Sequence, residues 1–141
     1  GFIAVLADLH SRVRAGKAVL NLTANARVLG PVPLAGPEAL IAAVNSEGRL
    51  LLFPAADLPQ MPRGKGNKLF GIATQKAAQR EELLVAICTF NEGQKLKFWC
   101  GDRSMTLGGK DLEPHRGARA QRGAMLSRNY RKVDRIEVSD A

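Results

Sequence analysis

Residues 62–68 read Pro62-Arg63-Gly64-Lys65-Gly66-Asn67-Lys68. Three cations and two glycines fall within seven positions, between the apolar runs Leu50-Leu51-Leu52-Phe53 and Leu69-Phe70-Gly71-Ile72. Glycine lets a backbone turn sharply and approach a partner closely. Arg and Lys beside it add positive charge and N–H donors. A loop that grips phosphate oxygens needs this combination. Taken alone, the same residues also describe a solvated hairpin turn.

The setting of this loop recurs along the chain. An apolar run leads to Asp-Leu, then to a basic loop with glycine, then to another apolar run. Asp8-Leu9 precedes Arg14-Ala15-Gly16-Lys17, Asp57-Leu58 precedes Arg63-Gly64-Lys65-Gly66, and Asp111-Leu112 precedes Arg116-Gly117 and Arg122-Gly123. The aspartates lie 49 and 54 positions apart. A period near 50 residues with several short strands per unit is the mark of β-propeller blades. The expected fold is therefore all-β and propeller-like, with repeats at about 1–47, 48–93 and 94–141. The aspartates suit turns in which the side chain bonds to nearby backbone N–H groups.

Strands are expected over 1–7, 18–22, 38–45, 48–53, 68–72, 83–90, 94–99, 104–107 and 133–138, from runs of branched and aromatic residues. Asn45-Ser46-Glu47-Gly48 reads as a hairpin turn, and Asn91-Glu92-Gly93 as a second one that makes 94–99 the partner of 83–90. The tract Gly30-Pro31-Val32-Pro33-Leu34-Ala35-Gly36-Pro37 cannot be a central strand or a helix, because its prolines remove backbone donors, and is a connector. Residues 74–82 fit a short helix or a surface loop. Phe90, Phe98 and Trp99 are expected to pack in the core between sheet faces.

The chain has 141 residues, a formal net charge of +8 and a sequence pI near 10.1. A balance this basic points to a polyanionic partner, nucleic acid before an anionic membrane. No apolar run approaches the roughly 18 residues of a membrane span. The opening Gly1-Phe2-Ile3-Ala4-Val5-Leu6 has no basic segment before it and no Met, so the chain reads as a fragment of a longer one. Cys88 and Cys100, with no CxxC and no His pair nearby, cannot supply the four ligands of a zinc site and read as reduced thiols, a disulfide between them being the alternative. His10 and His115 stand in different repeats without a nucleophile motif and fit surface or hydrogen-bonding roles. No Walker-type phosphate loop occurs.

These residues carry a family resemblance. Gly48-Arg49-Leu50-Leu51-Leu52-Phe53, Asp57-Leu58-Pro59 and Arg63-Gly64-Lys65-Gly66-Asn67-Lys68 together resemble a repeat of the C-terminal DNA-binding domain of bacterial type IIA topoisomerase A subunits. Residues 2–22, with Asp8-Leu9 and Arg14-Ala15-Gly16-Lys17-Ala18, resemble the preceding repeat. Arg122-Gly123-Ala124-Met125-Leu126 through Val133-Asp134-Arg135-Ile136-Glu137-Val138 resembles the closing repeat of the topoisomerase IV branch. The gyrase branch carries a heptad of the type Gln-Arg-Arg-Gly-Gly-Lys-Gly. The nearest stretch here, Gln60-Met61-Pro62-Arg63-Gly64-Lys65-Gly66, lacks the paired arginines, which favours topoisomerase IV.

The resemblance implies an open propeller fragment of about three blades, each a four-stranded antiparallel sheet. It implies a non-catalytic domain that binds and bends duplex DNA. The parent enzyme would pass strands with ATP and Mg bound elsewhere, pair with the B-type partner of topoisomerase IV in a heterotetramer, and act in the bacterial cytoplasm at the nucleoid. This fragment itself would hold no cofactor and meet no membrane. The cations expected on one rim are Arg12, Arg14 and Lys17; Arg63, Lys65 and Lys68; and Arg116, Arg119 and Arg122, with Arg128, Arg131 and Lys132 as an extension. The alternatives are a gyrase-type wrapping domain and a basic propeller that meets an acidic protein. Tyr130, the one tyrosine, has no acidic metal-binding cluster around it and reads as structural, since the family's catalytic tyrosine lies in the N-terminal part of the full-length protein.

Overall fold

The computed structural model describes residues 1–140; position 141, the last of the third expected repeat, lies outside them. The apolar run after Gly48 forms a hairpin with the one before it. β1 (Leu40–Asn45) and β2 (Arg49–Pro54) are antiparallel, with Ala43 opposite Leu51 and Val44 opposite Leu50. The turn between them forms as its residues predict. Gly48 adopts φ +86° and donates to the Asn45 carbonyl at 3.1 Å, while Asn45 Oδ1 accepts from the N–H groups of Glu47 and Arg49 at 3.2 and 2.8 Å. A Cβ at position 48 would stand 2.5 Å from the Cα of Arg131, and closer to its Cβ.

Both strands are buried along most of their length because both faces of their sheet are covered. Period-2 alternation sends Ala42, Val44, Leu50 and Leu52 to one core with Phe90, Leu96, Phe98, Leu112 and Leu126. It sends Ile41, Ala43, Leu51 and Phe53 to a second core with Phe70, against which Ile3, Leu58 and Leu69 pack.

β3 (Leu84–Phe90) joins the free edge of β1, and β6 (Ala124–Met125) joins that of β2, giving the order β3-β1-β2-β6. The second sheet has β4 (Lys95–Cys100) at its centre, between β5 (Arg103–Leu107) and β7 (Arg135–Ser139). The Asn91-Glu92-Gly93 turn therefore closes no hairpin. β3 and β4 lie in different sheets because each finds a better-matched edge elsewhere: β3 pairs with β1 from Leu84 to Phe90, and β4 with β5 and β7 on both sides. What β3 and β4 share is a core, Cys88 and Phe90 against Leu96 and Phe98. The chain also laces the sheets together. After β5 it returns to the first sheet as β6 and then to the second as β7.

These sheets, of four and three strands, stay open among the described residues, and the first expected repeat contributes no strand before Leu40. Residues 1–7, 18–22 and 68–72, expected as strands, build no ladder, and Leu6 and Ala7 belong to a 3-10 turn. Ile3 and Leu20 make single bridges to Gln60 and Gly64, and the 69–71 backbone bonds to Ala120 and Gln121. Strand composition supplies shape; a ladder also needs a neighbouring strand in register. Residues 74–78 form a short helix, α1 (Thr74–Ala78). Each Asp-Leu pair sits in a 3-10 turn, at Leu6–Leu9, Ala55–Asp57 with Leu58 following, and Gly109–His115. The aspartate side chains do not cap these turns. Backbone bonds close them, and Leu58 and Leu112 pin the later two to the cores.

Glu82 is fully buried at the start of β3's approach, in a stretch that reads as polar surface. It survives there through partners: Asn45 Nδ2 donates to its Oε1 at 2.9 Å, and Arg122 Nη2 lies 2.9 Å from the same oxygen. Phe90 and Phe98 are core residues as expected, whereas Trp99 lies on the outer face of the second sheet, under Lys97 and Arg135. Both cysteines are free, and burial pushes the Cys88 thiol up to about 12. His115 is buried against the backbone of Leu50 and Ala124, and loss of solvent lowers its pKa below the ordinary 6.5.

Gly48→Ala is expected to destabilise the chain by at least ~2 kcal/mol in urea unfolding, since it adds a backbone collision to left-handed strain. Gly93→Ala, at a similar φ of +89° but in open space, should cost only about 1–2 kcal/mol. For His115 the unfolded state binds the extra proton first, so its contribution to stability is present above pH 6.5 and is lost as pH falls toward the lowered folded value. Unfolding midpoints measured from pH 7.5 down to pH 5 should decline less steeply in His115→Gln than in the parent chain.

Candidate nucleic-acid interface

The segment from Pro59 to Gly71 leaves β2 and belongs to neither sheet. Its amides and carbonyls must still be paired where they are buried. Residues 1–3 and 19–21 do this from one side. Ile3 N–H donates to Pro59 O at 2.9 Å, Met61 N–H to Ile3 O at 2.8 Å, and Asn67 N–H to Gly1 O at 2.9 Å. Gly64 N–H donates to Val19 O at 2.8 Å, and the Gly64 carbonyl accepts from Asn21 N–H at 3.0 Å. Gly66 is required by this approach, because a Cβ there would collide with the Gly1 carbonyl.

Residues 119–122 bind the same segment from elsewhere in the chain. Arg119 Nη1 donates to Lys68 O at 2.7 Å, and Arg122 Nη1 to Gly71 O at 2.8 Å. Ala120 N–H reaches Leu69 O at 2.9 Å, and Gly71 N–H reaches Gln121 O at 2.8 Å. Segments that lie far apart in sequence, 1–3, 19–21 and 119–122, thus meet on one short basic stretch.

The nine expected rim cations divide into two kinds. Arg12, Arg14, Lys17, Arg63, Lys65 and Lys68 are exposed or nearly so, and among the described residues none of them is in a salt bridge. Lys17 Nζ donates to the Asp8 carbonyl, which orients it without neutralising it. Arg116, Arg119 and Arg122 have work inside the fold. Arg116, whose backbone bridges Leu52 at the edge of β2, is held between Glu92 and Glu113, and these hydrogen bonds raise its pKa. Its two carboxylates outnumber its charge. Arg122 bridges Glu82 and Glu47, the latter at 3.1 Å, so a phosphate would have to compete with a buried carboxylate for it. Arg119 keeps its charge but spends a donor on Lys68. Of the expected extension, Arg128 and Lys132 are exposed, while Arg131 is half-buried and donates to Leu126 O at 3.2 Å.

A further basic group escapes sequence reading. Lys95 and Lys97 lie on the outer face of the second sheet with Trp99, and strand pairing places Arg135 opposite Trp99. The Lys-x-Lys-x-Trp alternation was the available signal; Arg135 becomes a neighbour only through the β4–β7 register. Among the described residues no group of three or more His, Cys, Asp or Glu is placed to hold a metal, and no helix is long and apolar enough to cross a membrane.

No protein-family model matches the chain. The DNA topoisomerase 4 A subunit of Pseudomonas aeruginosa is 42% identical over 139 residues, which cover 98% of this chain and 18% of that protein. The Haemophilus influenzae protein of the same name is 41% identical over 128 residues, covering 91% of this chain and 17% of its own length. The chain thus spans less than a fifth of these relatives. Among solved structures, that of the E. coli ParC C-terminal domain superposes with a TM-score of 0.89 at 35% identity, covering 100% of this chain and 57% of that one. The open arrangement of antiparallel sheets, the lacing between them and the sequence identity across nearly the whole chain agree. By sequence and by fold, the chain belongs to the C-terminal domain family of DNA topoisomerase 4 A subunits.

Proposed function

We propose that this chain is a duplex-DNA-binding and bending domain of a bacterial topoisomerase IV A subunit, and that it presents DNA segments for strand passage by the rest of the enzyme. The observation that carries this reading is a set of six exposed cations with no carboxylate partner among the described residues, three of them within residues 59–71 and three in the 12–17 loop that leads into the 19–21 segment paired with it. A duplex presents one phosphate charge per ~1.7 Å of axis, so cations on a rigid curved support bind it without reading bases. Smoothly bending 20–30 base pairs costs on the order of 1–6 kcal/mol, which several added phosphate contacts can offset. The set comes from two clamped loops, so little side-chain support has to be ordered on binding.

In this reading the parent enzyme couples ATP hydrolysis to decatenation and relaxation, serves chromosome segregation in the cytoplasm, and contains a second type of polypeptide that carries the ATP site. The catalytic tyrosine lies outside this chain. Tyr130, half-buried in the short turn Arg128–Tyr130, has a structural place.

Two kinds of arginine and lysine can be told apart by experiment. Replacing Arg63, Lys65 and Lys68 together by Ala should leave the unfolding midpoint nearly unchanged. It should weaken duplex binding and flatten the dependence of log K on log salt by about 2.7, three contacts at about 0.9 each. Mobility-shift titrations across salt with an unaltered slope would remove this loop from the interface. Arg122→Ala should do the reverse. Leaving buried Glu82 with only Asn45 and the more distant Lys76, at 4.0 Å, is expected to cost about 2–3 kcal/mol of stability in denaturant unfolding, with little change in salt slope at temperatures where the fold persists.

A further inference from the structure

The outer face of the second sheet carries an arrangement that the 59–71 interface does not use. Leu96 and Phe98 point into the core and are fully buried. Lys95, Lys97 and Trp99 alternate with them and lie on the other face. Pairing sets Lys97 between Thr106 and Glu137, and Trp99 between Ser104 and Arg135. Lys97 Nζ lies 4.4 Å from the centroid of the Trp99 ring, and Arg135 Cζ lies 4.8 Å from it. The indole Nε1 is buried with no hydrogen-bond partner.

A tryptophan on the outer face of a sheet, carrying two cations, is not explained by core packing. An indole ring attracts cations through its quadrupole, and so restrains side chains that would otherwise sample many rotamers. Lys97 and Arg135 are thereby ordered before any ligand arrives, which lowers the entropy lost on binding. The remaining surface suits an anion. Ser104 and Thr106 bring hydroxyls to the same face, and Lys95 adds a third cation. One acid, Glu137, is bonded to Arg135 at 2.7 Å.

We propose that this face is a second phosphate-backbone contact for duplex DNA, in which Trp99 is a positioning residue that holds Lys97 and Arg135 ready for phosphate oxygens. The inference rests on the DNA-binding reading above but on different residues. With two cations seated over it, the ring is occupied, which favours phosphate contact over stacking of an unpaired base. Glu137 then acts against binding, drawing on Arg135 and repelling the backbone.

Duplex affinity of the full chain, titrated over a range of salt, tests this. Lys97→Gln with Arg135→Gln should weaken binding several-fold and flatten the salt slope by about 1.8, two contacts at about 0.9 each. Glu137→Gln should tighten binding. Trp99→Leu should weaken it and Trp99→Phe should recover most of the loss, a rescue that a ring needed only for bulk would not show. If the parent chain binds duplex and the Lys97/Arg135 variant keeps its slope and affinity, this face is overturned while the 59–71 interface stands. No duplex binding by the parent chain would overturn both. Tighter binding of single-stranded DNA that is lost in Trp99→Leu would replace the phosphate role with base stacking.

Discussion

A stretch of chain that leaves a sheet must still pair its backbone, and here that requirement organises the molecule. Residues 59–71 have no ladder of their own. Their amides and carbonyls are met by residues 1–3, by residues 19–21 and by residues 119–121, with the Arg119 and Arg122 guanidiniums adding two more donors. The pairing fixes where the N-terminal third of the chain runs. It also covers the second face of the β1–β2 hairpin, letting Leu51 and Phe53 be as deeply buried as Leu50 and Leu52. It also sets Arg119 and Arg122 beside the basic 63–68 stretch.

The recurring Asp-Leu pair marks this architecture but works differently from what its residues suggest. An aspartate before a basic loop invites a side-chain cap. The structure uses backbone bonds instead, and Leu58 and Leu112 act as plugs that seat each 3-10 turn against a core. The equivalent Leu9 is exposed. The repeat is thus a repeat of turn geometry, carried by a leucine, with the aspartate left outside.

Local features were legible in the sequence. The Asn45-Ser46-Glu47-Gly48 turn, the apolar runs of β1 to β4, and the last strand near 135–139 follow from turn chemistry and alternation. Non-local ones were not. Asn91-Glu92-Gly93 has the residues of a hairpin turn, yet the edge of β1 competes for β3 and wins, which no nearby residue reveals. Glu82 lies in a polar stretch, and its burial depends on Asn45, thirty-seven positions earlier, and on Arg122, far later. The same non-local fact gives Arg122 a buried carboxylate partner with which a phosphate would have to compete. Trp99 is hidden for a related reason: its neighbours Leu96 and Phe98 are core, and only strict alternation with Lys97 puts it on the other face.

Residues 12–17 and 63–68, supported by the 59–71 clamp, should act as one duplex-facing surface. An amide chemical-shift map of the isotopically labelled chain, titrated with a short duplex, tests this most directly. Perturbations are expected to concentrate at 12–17 and 63–68, with the buried amides of β1 and β2 unmoved. Shifts confined to other surfaces, with these two loops silent at saturation, would contradict it.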